Sequence, residues 1–216
     1  YFCRYLQSQR RTGISYNPNE DKGLFIFSDT GLDTDIFSGT LAVFGGATII
    51  CKSARQKFKS QHTMEAEMAG LNEAAKLAIH LQAICLDLGE KIGTVTIFGD
   101  NQAAVKEFME GAPECCSKKV RHHRLRHAWT KQLVKHKRIR FQWIQTDQML
   151  VDIATKALPK DAWNELLPQI MGNAPIKALA EAPTVTERYG AIPCYHSNDD
   201  VKRDDGKETE AKDAEQ

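Results

Sequence analysis

No CxxC pair occurs in this chain, and its six cysteines (Cys3, Cys51, Cys85, Cys115, Cys116 and Cys194) follow no regular spacing. That argues against a zinc ribbon and against a disulfide framework, and predicts free thiols in a reducing compartment. Long hydrophobic runs are missing too. The longest nearly apolar stretch, LAVFGGATIIC, falls well short of the roughly 20 residues that span a bilayer. There is no initial Met and no basic start ahead of an apolar segment. A soluble fragment or processed piece, without signal peptide or membrane partner, is therefore expected. One further absence is local: from residue 118 to 143 ten Lys or Arg stand without any Asp or Glu. The formal net charge of +1 hides this basic segment in a chain otherwise acidic by nine charges.

What is present suits one domain with tails, since a body of about 150 residues can bury roughly two thirds of its unfolded surface. Residues 1–20 begin helix-like and end in a turn-rich NPNE, as the close of a preceding unit would. GLFIFSD, GTLAVFGG and ATIICKS read as three sequential strands, the last two joined at a Gly pair that suits a hairpin. A long helix follows. Its stripe Met64, Leu71, Ala74, Ala78, Leu81, Cys85 and Leu88 steps by threes and fours like one buried face. GTVTIFGD is a fourth strand that leads directly into the short helix NQAAVKEFME, and Lys118 to about Lys135 forms a basic helix. KRIRFQWIQ alternates, which puts Ile139, Phe141 and Trp143 on one face of a fifth strand. TDQMLVDIATKAL starts a last helix with Thr146 or Asp147 as cap, and DAWNELLPQIMG adds a further turn or two. Past about residue 182 the chain is charged and poor in apolar residues, which predicts a disordered tail. The element order predicts an α/β domain, a mixed sheet covered by helices.

The missing step in the long helix is Glu67, a carboxylate where a Leu would serve the core. Three more acids stand where elements end or meet. Asp29 follows LFIFS, Asp100 closes the strand TVTIFG, and Asp152 lies one turn into the last helix. If the first and fourth strands are parallel neighbours, Asp29 and Asp100 approach each other and Glu67 points at them. Such carboxylates repel and raise one another's pKa unless a cation joins them. A cluster of oxygens without His or Cys favours Mg²⁺ or Mn²⁺ over zinc, and a pair of such ions suits phosphodiester hydrolysis. For any one of these acids a cap, a turn or a partner Lys is the plainer explanation; four together favour the metal site.

SGTLAVFGGATIICKSARQ, TMEAEMAGLNEAAK, FGDNQAA and DQMLVDIATKALPK resemble, in this order, motifs of the ribonuclease H domain in Pol polyproteins of copia-type long-terminal-repeat retrotransposons. RYLQSQRRTGISYNP resembles the segment that closes the reverse transcriptase part. The resemblance covers about three quarters of the chain. It implies a ribonuclease H-like fold with a five-stranded mixed sheet, in a chain divided into residues 1–20 (end of the reverse transcriptase), 21–168 (ribonuclease H) and a mostly disordered 169–216. It implies hydrolysis of the RNA strand of RNA/DNA hybrids with two Mg²⁺, Mn²⁺ being the substitute, and Asp29, Glu67, Asp100 and Asp152 as catalytic metal ligands. The reverse transcriptase and integrase parts of the same polyprotein are implied partners, in cytoplasmic virus-like particles or the nucleus. Glu65, Asp33 and Asp147 are nearby decoys; Glu65 sits about 200° around the helix from Glu67. There are departures: Met64 and Met68 flank the glutamate in place of Thr and Tyr, the Trp usual after the first aspartate is missing, and QTDQML has no His before the last helix. None removes a ligand.

KKVRHHRLRHAWTKQLVKHKRIRFQW combines cations with His and Trp, a composition suited to sequence-independent phosphate contact. Arg121, His122 and Arg126 are the expected contacts, with Trp129 in the core. Asn101 and Gln102, which open the helix after Asp100, are placed for a minor groove that displays RNA 2′-hydroxyls. A solvated helix face is the bland reading of the same run. Zinc on Cys115, Cys116, His123 and His127 is disfavoured by the missing CxxC, and a Cys115–His122 nucleophile lacks a third group to orient it. The competing reading of the whole chain is a nucleic-acid-binding remnant without catalysis.

Overall fold

The computed structural model describes residues 13–17, 23–32, 36–56, 63–109 and 121–181, without the side chains of residues 32, 121–126 and 181. Strand β1 (Phe25–Leu32) opens the sheet. Its first half, with Leu24 before it, reads as an unbroken apolar run because both faces are covered: Leu24 and Ile26 join one core cluster, Phe25 and Phe27 the other. β2 (Ile36–Phe44) pairs antiparallel with β1, and β3 (Ala47–Arg55) antiparallel with β2. The expected hairpin joins β2 to β3 at Gly45 and Gly46, whose φ values of 61° and 76° are the left-handed pair that a tight two-residue turn requires. β4 (Val95–Gly99) lies parallel to β1, and β5 (Ile139–Trp143) parallel to β4. The sheet order is β3-β2-β1-β4-β5. Flanked by helices, this is the mixed five-stranded sheet of an α/β domain.

Five α-helices complete the described body: α1 (Thr63–Asp87), α2 (Gln102–Met109), α3 (Arg121–Lys135), α4 (Asp152–Thr155) and α5 (Lys160–Ile170). One core packs α1 and α2 on Ile26, Ala42, Ile97, Ile139 and Phe141. On the opposite face Met149, Leu150, Val151, Leu166 and Ile170 meet Phe25, Phe27, Leu41 and Phe98.

Several expectations need correction. Leu71, Ala74, Ala78 and Leu81 are buried, but Met64 and Leu88 are exposed. α1 has 25 residues and is about 37 Å long, whereas the eight residues of β1 span about 26 Å, so the helix outruns the sheet at its ends. Trp129 is exposed, not core, and Trp143 at the end of β5 is 42% exposed although Ile139 and Phe141 are buried. The expected last helix is broken. Thr146–Gln148 forms a 3₁₀ turn without a side-chain cap, and α4 begins only at Asp152. Met149, Leu150 and Val151 are all fully buried, and three consecutive buried residues do not fit one face of a helix.

The expected domain limits cut through packed structure. Residue 168 lies inside α5, and Ile170, Ile176 and Ala178 beyond it belong to the second core. At the other expected limit, before residue 21, Ser15 N–H donates to the Met171 carbonyl (2.8 Å), Asn17 N–H to the Gly45 carbonyl (3.1 Å) and the Tyr16 hydroxyl to the Thr48 carbonyl (2.9 Å). The tail expected to be disordered from residue 182 lies outside the described residues.

Candidate active site

Asp29 sits at the carboxyl-terminal half of β1, in the position opposite Gly39 of β2. Its side-chain direction is set by alternation: Phe25, Phe27 and Asp29 share a face, while Ser28 and Thr30 point towards α1. Asp100 follows the last residue of the neighbouring parallel strand β4. Two groups hold it there: the Trp143 indole N–H donates to the Asp100 carbonyl at 2.8 Å, and the Thr146 hydroxyl to its Oδ2 at 3.3 Å. Glu67 comes from the second turn of α1 and is only 8% exposed.

Gly70 sets how close that turn lies to the sheet. A Cβ there would stand 2.8 Å from Thr30 Oγ1 and 3.3 Å from Ser28 Oγ, so only glycine lets the helix descend this far. The Ala66 carbonyl, one residue before Glu67, accepts from Gln56 Nε2 at 3.0 Å and from Thr30 Oγ1 at 3.4 Å. The result is that carboxylate oxygens of Asp29, Glu67 and Asp100 all lie within 4.8 Å of one another.

Asp152 stands beside this trio and not within it. Lys156 links the two: its ammonium lies 2.9 Å from Asp152 Oδ1 and 3.5 Å from Asp29 Oδ2. The Thr155 hydroxyl donates to Asp29 Oδ2 at 2.5 Å. α4 reaches the sheet so closely because β1 and β2 carry glycines beneath it. A Cβ at Gly31 would meet the Thr155 carbonyl at 3.0 Å, and one at Gly39 would overlap the Thr155 methyl and approach Val151 to 2.9 Å.

The electrostatics follow from burial. Loss of solvent, reinforced by repulsion from Asp29 and Asp100, pushes the Glu67 carboxyl up to about 8. Asp152 is raised to about 6 by burial and by the same two aspartates, against the opposing pull of Lys156. Burial alone would lower the Lys156 ammonium; its hydrogen bond to Asp152 and the charges of Asp29, Asp152 and Asp100 hold it above the ordinary lysine value.

Of the other candidates, Asn101 caps α2, its Oδ1 accepting from Ala104 N–H at 3.1 Å, and Gln102 is exposed at the first position of that helix. Arg121, His122 and Arg126 fall on α3, in the stretch whose side chains are not described. Cys115, Cys116 and the decoy Asp33 lie outside the described residues, and Asp147 lies in the 3₁₀ turn. Sequence reasoning passed over Thr155, Lys156 and Trp143. For the first two a signal was available, since they follow Asp152 by three and four positions and so share its helical neighbourhood.

No known family model matches this chain. Among solved structures it is similar to LC11-RNase H1 in complex with an RNA/DNA hybrid, at 17% identity and a TM-score of 0.44, over 62% of this chain and 99% of that one. It is similar to the N-terminal RNase H domain of rv2228c from Mycobacterium tuberculosis at 14% identity and a TM-score of 0.46, over 68% and 96%. RNase H1 from the halophilic archaeon Halobacterium salinarum NRC-1 matches at 16% identity and a TM-score of 0.44, over 67% and 96%.

Proposed function

We propose that this chain is a ribonuclease H domain, from the Pol polyprotein of a copia-type retrotransposon, that hydrolyses the RNA strand of RNA/DNA hybrids. The observation that carries this reading is the meeting of Asp29, Glu67 and Asp100 within 4.8 Å on a mixed sheet of the appropriate order. The retrotransposon origin is supported by TMEAEMAGLNEAAK, FGDNQAA and DQMLVDIATKALPK, which supply three of the site's four acids in Glu67, Asp100 and Asp152.

The donor set fits a hard divalent cation. All its ligands are carboxylate oxygens, and their mutual repulsion in a buried setting is relieved by added positive charge. Asp29, Glu67 and Asp100 would hold the ion, with Asp152 as the fourth ligand; bound Mg²⁺ or Mn²⁺ supplies activation of water and charge stabilisation for phosphodiester hydrolysis. The protein's own groups prepare the site. Thr155 fixes the orientation of Asp29, and Trp143 with Thr146 fixes Asp100. Lys156 bridges Asp29 and Asp152 and offsets their negative charge. Burial and the charges of Asp29 and Asp100 favour a proton on the Glu67 carboxyl, which a bound cation would disfavour.

In this reading Gln102, with the amide of Asn101, meets the minor groove of the hybrid, and Arg121, His122 and Arg126 meet its phosphates. The reverse transcriptase and integrase parts of the polyprotein are its partners, and virus-like particles in the cytoplasm, or the nucleus, are its location. The test is cleavage of a labelled RNA/DNA hybrid with Mg²⁺, with Mn²⁺ and with chelator, beside Asp100→Asn. Metal-dependent cutting of RNA in the hybrid alone, abolished in the variant while hybrid binding persists, is the expected result. Binding without cleavage, even with a reverse transcriptase domain supplied, would instead favour an inactive nucleic-acid-binding remnant.

A further inference from the structure

α1 packs over β1, β2 and β4, and among the described residues a gap remains between it and the edge strand β3, whose own helix contacts come from α4 and α5. The gap is a groove of about 610 Å³. Its helical wall is the stripe Ala69, Glu73, Lys76 and His80, residues at steps of four, three and four. Its floor is formed by residues directly opposite each other on β2 and β3: Ser38 with Ala54, and Thr40 with Lys52.

The composition of this groove is selective. Lys52, Arg55, Lys76 and His80 bring positive or protonatable groups, against Glu73 as the one acid among the described lining residues, held 2.6 Å from Lys76. Ser38 and Thr40 add hydroxyl donors, and among the described residues no Phe, Tyr or Trp lines the groove. Cations with hydroxyls and without a stacking platform suit a sugar-phosphate backbone, not base faces. The stripe from Ala69 to His80 runs about 16 Å along α1, room for a few nucleotides.

Position ties the groove to the acidic cluster. Gln56 lines its upper end and donates to Ser38 Oγ at 2.6 Å and to the Ala66 carbonyl at 3.0 Å, immediately before Glu67. The clustered carboxylates repel phosphate, so a strand that reaches them needs positive charge close by.

We propose that this groove between α1 and β3 is a second nucleic-acid subsite, which holds the backbone of a hybrid strand running out of the acidic cluster. The proposal rests on the ribonuclease H reading. It is tested by fluorescence anisotropy of a labelled RNA/DNA hybrid with the full chain in chelator, over a series of salt concentrations. For K52Q/K76Q the dissociation constant is expected to rise about tenfold or more, and the slope of log K against log [salt] to become shallower by roughly 2. For E73Q, which frees Lys76 from its partner, binding is expected to tighten. Wild-type affinity and slope in K52Q/K76Q, in a variant with an unchanged melting temperature, would overturn the subsite and leave the proposed function standing. A wild-type chain that neither binds nor cleaves hybrids would overturn both.

Discussion

The most informative perturbation is Glu67→Gln, measured as stability and without metal. In the folded chain burial and the neighbouring aspartates push the Glu67 carboxyl up to about 8, from an ordinary glutamate value of 4.5. Between those values the folded state binds more protons than the unfolded state, so this residue makes stability fall as pH rises. With each pKa unit worth about 1.4 kcal/mol, ionised Glu67 costs the metal-free fold a few kcal/mol, at most about 5. Glutamine keeps the shape and removes the charge. In chelator, E67Q is therefore expected to match the wild type near pH 5 and to exceed it by about 2 to 4 kcal/mol at pH 8. Urea unfolding at pH 5, 6.5 and 8 provides the measurement. Asp152, raised to about 6, weakens both proteins alike over its own lower window, so the difference between them isolates Glu67. Saturating Mg²⁺ should reverse the order at pH 8, since the wild type then gains a ligand that E67Q holds poorly. A stability difference independent of pH would refute the buried, proton-holding Glu67.

Two further substitutions test the supports of the site. Gly39→Val would press a side chain into Thr155 and Val151; a loss of about 1 to 3 kcal/mol in urea unfolding is expected, together with loss of hybrid cleavage, because α4 carries both Thr155 and Asp152. Lys156→Met removes the internal cation between Asp29 and Asp152. By calorimetry this variant should bind Mn²⁺ more tightly than the wild type, since no ammonium competes for the same oxygens, and its melting temperature in chelator should fall by a few degrees.

Much of the site was legible because its signals are local. An apolar run that ends in Asp29, a strand that ends in Asp100, and a carboxylate on an otherwise apolar stripe each depend on alternation or on the 3.6-residue period alone. The same rules misjudged Met64, Leu88 and Trp143, because a period gives the direction of a side chain and not how far the covering layer extends. They also extended the last helix through Met149–Val151, where burial on both sides overrides helical continuity. The groove beside β3 was not legible at all, since its walls come from separate elements and Lys52 and Lys76 look like ordinary surface cations in the sequence.

By itself, then, the sequence determined the order of strands and helices, the hairpin at Gly45–Gly46 and which acids turn inward. Each of these follows from backbone geometry within a few residues. Only the tertiary structure decided that Asp29, Glu67 and Asp100 share one point while Asp152 stands aside with Lys156, and that Thr155 reaches Asp29 across 126 residues of chain. Those contacts depend on how close two packed layers come, and that distance is set by the glycines at 39 and 70, whose missing side chains matter only once the layers meet.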